Sequence, residues 1–302
     1  MIFLYHGVAP DRPRSAGRAS APVAREDFER QVDWLARSHR IVSLAEYLEM
    51  EPRDPAAGDT IALTFDDGLR NTFLHAVPFL QRRRIPAAFF VTTLNVATRE
   101  LLWFSYLNAL CYDSDHASVS ADGITLSLES PARRRLARRR LGEIARESGD
   151  PVGFGRELSR RYPIPPEAAA RHEGMRPEDL RSLADSELFE VGSHTLTHPF
   201  LSSLPEDAQR REVAESRREL GALCGRPVRY FAYPAGDYDR VTLRLVREAR
   251  YEAAFATIAR RLGSDPRLEI ERVGVYAPSL LKVRLKTTGV VRLARSMGMR
   301  VG

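Results

Sequence analysis

The sequence lacks any apolar run of about 18 residues, the length at which a membrane-spanning helix becomes a candidate. It has only two cysteines, Cys111 and Cys224, far apart and without the spacing of a metal site. That excludes a disulfide scaffold and a cysteine-held zinc, and the pair reads as two reduced, partly buried thiols in preference to a lone disulfide. No zinc-finger spacing, RNA-binding aromatic motif or helix-turn-helix pattern occurs, so nucleic acid is not an expected partner despite a net charge of +6. No internal repeat or low-complexity tract is present. The opening Met1-Ile2-Phe3-Leu4-Tyr5-His6 is too short for the apolar region of a signal peptide and has no basic flank. The expected location is cytoplasmic, or exported if an upstream leader is missing. Histidine is scarce: there are seven, and none follows His198.

What is present is ordinary in bulk. The 302 residues, 43% hydrophobic and 28% charged, suit one large α/β domain that buries a core without staples. The basic residues are mostly arginine and gather in two places. Arg133 to Arg135 and Arg138 to Arg140 lie in a helix-like segment and read as a solvated face. Lys282, Arg284, Lys286, Arg292, Arg295 and Arg300 form a C-terminal run without an acid. That run reads equally as a solvated face or as a peripheral contact with an anionic membrane surface.

Short apolar strands alternate with helical periodicity. Strands are expected at Ile2 to Tyr5, Ile61 to Phe65, Ala87 to Thr92, Leu188 to Val191, Arg229 to Tyr233 and Ala253 to Thr257. Phe28, Val32 and Leu35 predict a helix ending near Ser38, and Ser43 caps a short second one through Met50. Phe73, Val77 and Leu80 predict a third, and further helices are expected over 205–223 and 241–249. Pro10 to Pro22 reads as a loop. Two more elements are expected near Ile270 to Tyr276 and Ser279 to Leu293. About 94–185 reads as a mainly helical insertion within a single domain spanning 1–302. This alternation argues for a mainly parallel α/β architecture, whose chemistry gathers at the C-terminal ends of strands.

Four segments follow such strand ends. Asp66-Asp67-Gly68 sets two carboxylates side by side, which repel unless a cation is near. A divalent metal would take one and leave the other as a base; alone, the segment reads better as an Asx-type turn. His194 and His198 stand at i and i+4, close enough on one helical turn to share a metal, and Pro199 keeps that turn short. One Asp and two His make an open zinc-type site. Tyr233-Pro234-Ala235-Gly236 is a turn whose backbone N–H could face an oxyanion. His6 precedes a glycine at the end of the first strand and gains a catalytic reading only in company with the others.

Taken together, Thr64-Phe65-Asp66-Asp67-Gly68, His194-Thr195-Leu196-Thr197-His198 and Phe231-Ala232-Tyr233-Pro234 resemble the motifs of the polysaccharide deacetylase family (NodB-homology domain, carbohydrate esterase family 4). The resemblance covers roughly residues 1–93 and 186–276. It implies a distorted (β/α) barrel with fewer strands than the regular eight. It assigns Asp67, His194 and His198 to a divalent metal, Asp66 to the general base, and the Tyr233 backbone N–H to the oxyanion. The family's late Leu-x-His acid is missing. Tyr5-His6 is similar to the N-terminal segment of the biofilm-polysaccharide deacetylases, which makes His6 the candidate acid. Where the family often has an arginine held against the base, this chain has Ala232, so Asp66 must be oriented by something else. Glu271-Arg272-Val273 is loosely similar to a Pro-Arg-Val pattern of related chains.

The function so implied is hydrolytic removal of acetyl groups, foremost N-acetyl groups of amino sugars, from a polysaccharide or glycan precursor. Trp103 and Pro234 are expected to touch the sugar. Zinc is the expected metal, with cobalt, nickel or manganese as substitutes. The competing readings are an O-acetyl esterase, a small-molecule amidohydrolase and a degenerate carbohydrate-binding homologue.

Overall fold

The structure is a computed structural model that describes residues 1–11, 22–50 and 59–288. Most of the loop predicted at Pro10 to Pro22, and Arg292, Arg295 and Arg300 of the basic tail, lie outside the described residues. Among the described residues no helix is long and apolar enough to cross a membrane.

Eight parallel strands build a nearly closed barrel: β1 (Ile2–Tyr5), β2 (Thr60–Phe65), β3 (Ala87–Val91), β4 (Phe189–Ser193), β5 (Tyr230–Ala232), β6 (Ala253–Ala256), β7 (Ile270–Glu271) and β8 (Val273–Gly274). Their order is β7-β6-β5-β4-β3-β2-β1-β8. The last two are halves of one passage of chain. Ile270 and Glu271 pair with Phe255 and Ala256 of β6, while Val273 and Gly274 pair with Phe3 and Leu4 of β1. Between them, the Arg272 N–H is donated to the Ala256 carbonyl. The chain therefore steps from one outermost strand to the other at Arg272, and this step rolls the sheet into a ring. The expectation of fewer than eight strands is corrected by that split: two-residue segments carry no periodicity that a sequence pattern can register.

The strands read as continuous apolar runs because both faces are covered. All residues of β1, β2, β3 and β6 are buried. Alternate side chains divide between two cores. Ile2, Ala62, Ala88, Phe90, Ala232, Ala253 and Phe255 pack together in one cluster, with Leu44 of the helix Leu44–Glu49 beside them. Their neighbours Phe3, Leu63, Phe89, Phe231 and Ala254 pack in the other, against the surrounding helices. Ser43 caps Leu44–Glu49 as expected, and the Glu190 carboxylate also accepts from the Leu44 and Ala45 N–H groups, at 2.7 and 3.1 Å.

The helix predicted through Phe73, Val77 and Leu80 is two helices, Arg70–His75 and Val77–Arg83. Pro78, with no N–H to donate, suits the first turn of the second and not the interior of a continuous one. Between β3 and β4 the helices Trp103–Asn108, Pro131–Glu147 and Pro151–Arg161 enclose a hydrophobic cluster that includes Leu107, Leu110, Leu141 and Leu158. An antiparallel hairpin joins Ser118–Ala121 to Ile124–Ser127 around Asp122-Gly123, both at positive φ. An Asp-Gly pair is a strong hairpin signal that the sequence reading passed over. The last helix of this stretch, Pro177–Ala184, returns Leu180 and Leu183 to the main core.

The barrel is packed tightly where β4 passes β3. A Cβ added at Gly192 would sit 2.5 Å from the Phe90 ring and 3.2 Å from the Tyr230 carbonyl oxygen. Gly192→Ala should therefore cost about 2 kcal/mol through overpacking, read as a thermal midpoint lower by about 4 °C. An unchanged midpoint would show that the interior yields there.

Candidate active site

Three strand ends deliver candidate functional side chains to the barrel mouth: β1 is followed by His6, β2 by Asp66 and Asp67, and β4 by His194. After β2 the backbone turns through two consecutive left-handed residues, Asp67 (φ 73°) and Gly68 (φ 70°). Glycine is required at the second, since a Cβ there would stand 2.7 Å from Val91 Cγ1.

Asp66 is bound by a residue from the far end of the chain. Arg272, 206 residues later, donates from Nη1 to Oδ1 and from Nη2 to Oδ2, both at 2.7 Å. Both side chains are buried, Arg272 being 1% exposed. Its guanidinium also lies over the rings of Phe90 and Phe255, 5.0 and 5.9 Å from their centroids. Ala232 packs in the same cluster as those two rings. The arginine missing at position 232 is thus replaced from the barrel-closing strand. Burial alone would raise the Asp66 pKa, but the charge and hydrogen bonds of Arg272, with His194, hold it below its ordinary value.

Asp67 is the opposite case. It is 1% exposed and neither carboxylate oxygen has a hydrogen-bond partner. Burial, then the charge of Asp66, raises its pKa well above the ordinary range. His194 Nδ1 donates to the Ala232 carbonyl at 2.7 Å, since a carbonyl can only accept, so the unprotonated Nε2 faces Asp67 Oδ1 at 3.6 Å. His198 Nε2 lies 3.5 Å from the same oxygen. Burial lowers both histidines, His198 well below its ordinary pKa, and so keeps neutral lone pairs available. Ligand atoms of Asp67, His194 and His198 all lie within 4.8 Å of one another. An orphaned buried carboxylate is costly; two imidazole lone pairs beside it make a donor set that fits one divalent cation with a position left open.

The two histidines do not share a helical turn, as expected from their spacing. The segment after His194 is irregular, with Thr195 and His198 at positive φ (69° and 62°). Pro199 disfavours the helical region for His198, and side chains supply the order instead. The His198 N–H is donated to Thr195 Oγ1 at 3.0 Å. Glu212 Oε2 accepts from the N–H groups of Leu196 and Thr197, at 2.9 and 3.0 Å. Trp103 Nε1 donates to the His198 carbonyl at 2.9 Å.

A cleft of about 780 Å³ opens over these groups, lined by His6, Asp66, Asp67, His194, His198 and Trp103 among others. His6 is 9% exposed, and burial brings its pKa down to about 4. Tyr233 lines the cleft, but its N–H is donated to the Phe255 carbonyl at 3.0 Å and its hydroxyl to the Leu268 carbonyl. The expected oxyanion role of that N–H is therefore corrected: the sheet ladder has already taken it. Pro234 is buried and does not line the cleft, where Ala235 and Gly236 do. Trp103 is only 8% exposed and braces the His198 loop, so little of its ring is left to stack on a sugar.

Sequence reasoning missed Arg272 as the partner of Asp66, Glu212 as the organiser of the histidine loop, and the presence of Arg135, Arg138 and Arg139 in the cleft wall. Only the first left a trace, in Glu271-Arg272-Val273.

The sequence signature described as polysaccharide deacetylase matches residues 53–254. No curated protein matches the chain. Among solved structures it is similar to IcaB from Ammonifex degensii, with 21% identity, 95% of this chain and 96% of that one covered, and a TM-score of 0.57. The Streptococcus pyogenes deacetylase PplD, solved in complex with acetate, is 18% identical over 95% of this chain and 96% of that one, TM-score 0.55. A de-N-acetylase from Aggregatibacter actinomycetemcomitans is 12% identical over 92% of this chain and 95% of that one, TM-score 0.57. At these identities the three structures speak for the fold.

Removing Arg272 strands the buried Asp66 charge. Arg272→Met should cost about 3–5 kcal/mol in denaturant unfolding, and adding Asp66→Asn should restore part of it. A double variant no more stable than Arg272→Met would contradict the pairing.

Proposed function

Because the chain belongs to the polysaccharide deacetylase family, we propose that it is a metal-dependent hydrolase that removes acetyl groups, foremost N-acetyl groups of amino sugars, from a polysaccharide or glycan precursor. The observation that carries this reading is the pairing of two unlike carboxylates in one cleft. Asp66 is held ionised by Arg272, and Asp67 is orphaned between two neutral imidazoles. The acetate complex and the de-N-acetylase among the structural neighbours agree with an acetyl substrate.

Asp67, His194 and His198 would hold the cation, for which zinc suits an Asp/His/His set. When bound, such a cation would supply Lewis acidity and lower the pKa of water to about 7. The chain's residues do the rest. Asp66 takes the proton of the attacking water; Arg272 fixes both its oxygens and yet leaves each a lone pair. His194 is fixed in one tautomer by the Ala232 carbonyl, an orienting bond of the kind that tunes a ligand histidine. Glu212 holds the His198 loop in register. His6 is the proton donor to the leaving nitrogen. It rests neutral, so it must receive its proton within the cleft, and Asp66 is the group that releases one.

The test is acetate release from N-acetylglucosamine oligomers by protein stripped with chelator and resupplied with zinc or cobalt. Release restored by metal is the expected result; none, with one ion bound per chain, would overturn the N-acetyl assignment. His194→Ala should abolish both bound metal and activity. Glu212→Gln, which alters the loop's support and none of the three candidate ligands, should weaken metal binding about 10-fold; unchanged affinity would show that the loop holds itself.

A further inference from the structure

One wall of the cleft comes from the helix Pro131–Glu147, which presents Arg135, Arg138 and Arg139 to the same space as the histidines and aspartates. At i, i+3 and i+4 these three share one helix face. Among the described residues the only acids lining the cleft are Asp66 and Asp67, and Asp66 is already matched by Arg272. The wall therefore carries positive charge that the cleft does not neutralise.

The other arginines of this helix are engaged. Arg133 meets Glu129 at 2.8 Å, Arg140 meets Glu143 at 3.2 Å, and Arg134 donates to the Cys111 and Ser114 carbonyls. Facing the cleft the pattern changes. Among the described residues Arg135 has no hydrogen-bond or ion-pair partner, and Arg139 has one long ion pair, 3.8 Å to Glu143, which Arg140 meets more closely at 3.2 Å. The wall is also fixed in place. Arg138 Nε donates to Asn108 Oδ1 at 2.6 Å, and Arg146 lies 3.8 Å above the ring of Phe200, itself a lining residue. A solvated helix face, as the sequence suggested, describes only the paired side.

We propose that the substrate is an acetylated glycan bearing a negative charge, a phosphate or a carboxylate, which Arg135 and Arg139 bind while the acetyl group lies at the aspartates and histidines. This rests on the deacetylase reading for the acetyl end alone. Guanidinium matches either oxyanion in a two-pronged geometry, and both arginines are exposed, so their attraction is screened over about 10 Å at 0.1 M salt.

The probes are tri-N-acetylchitotriose, the same trisaccharide with a 6-phosphate, and the same oxidised to a 6-carboxylate. Binding is measured by calorimetry on chelator-stripped protein, and acetate release on zinc-loaded protein. One or both charged probes should bind about 10-fold more tightly than the neutral one at low salt, and the two charged arms say which anion is preferred. The preference should collapse in the double variant Arg135→Gln, Arg139→Gln, its folding checked by an unchanged thermal midpoint. Equal binding of all three probes, or a preference that survives in the variant, would overturn the inference. Tighter binding of a charged probe with no acetate released from any of the three would sustain the anion site and sink the N-acetyl assignment.

Discussion

Two adjacent carboxylates buried at the mouth of a narrow barrel cannot both stay charged unless each is given a cation. Most of the site follows from how that constraint is met. Asp66 receives a guanidinium through two 2.7 Å bonds. Asp67 receives no hydrogen bond at all and faces two imidazoles. One carboxylate is thereby held ionised, and the other is left between two imidazole nitrogens as part of a donor set that fits a cation. The division of labour is set by what surrounds them and not by any difference between the residues themselves.

The same arginine closes the fold. Arg272 stands between the two short strands that join β6 to β1, and its side chain stacks over Phe90 and Phe255. The residue that closes the barrel is therefore also the one that orients Asp66. A lysine could supply the charge but not the planar fork that meets both carboxylate oxygens. Ala232 shares a cluster with the two rings beneath the guanidinium, so the small residue at 232 and the arginine at 272 belong to one solution.

What could be read from the sequence was what adjacent residues encode. Asp66, Asp67, His194 and His198 stood out because each sits just past an apolar strand, and strand ends of parallel α/β folds carry chemistry. The strands themselves were legible as buried runs. Features set by long-range pairing were not. Arg272 lies between two-residue strands and acts on a partner 206 residues away. The family resemblance assigns the Tyr233 N–H to an oxyanion, but its partner, the Phe255 carbonyl, is on another strand and invisible to a local pattern. The spacing of His194 and His198 suggested a helical turn, whereas Glu212 and Thr195 hold an irregular one. Helical periodicity grouped the arginines of Pro131–Glu147 on faces but could not say that one of those faces looks into the cleft.

In the proposed site Asp67, His194 and His198 hold one divalent cation while Asp66 is kept for proton transfer. The most direct measurement is a zinc titration of chelator-stripped protein, compared across the wild type, Asp67→Ala and Asp66→Asn. The expected result is one ion per chain in the wild type, none in Asp67→Ala, and one in Asp66→Asn. An ion retained by Asp67→Ala, or a wild type that binds none, would contradict it.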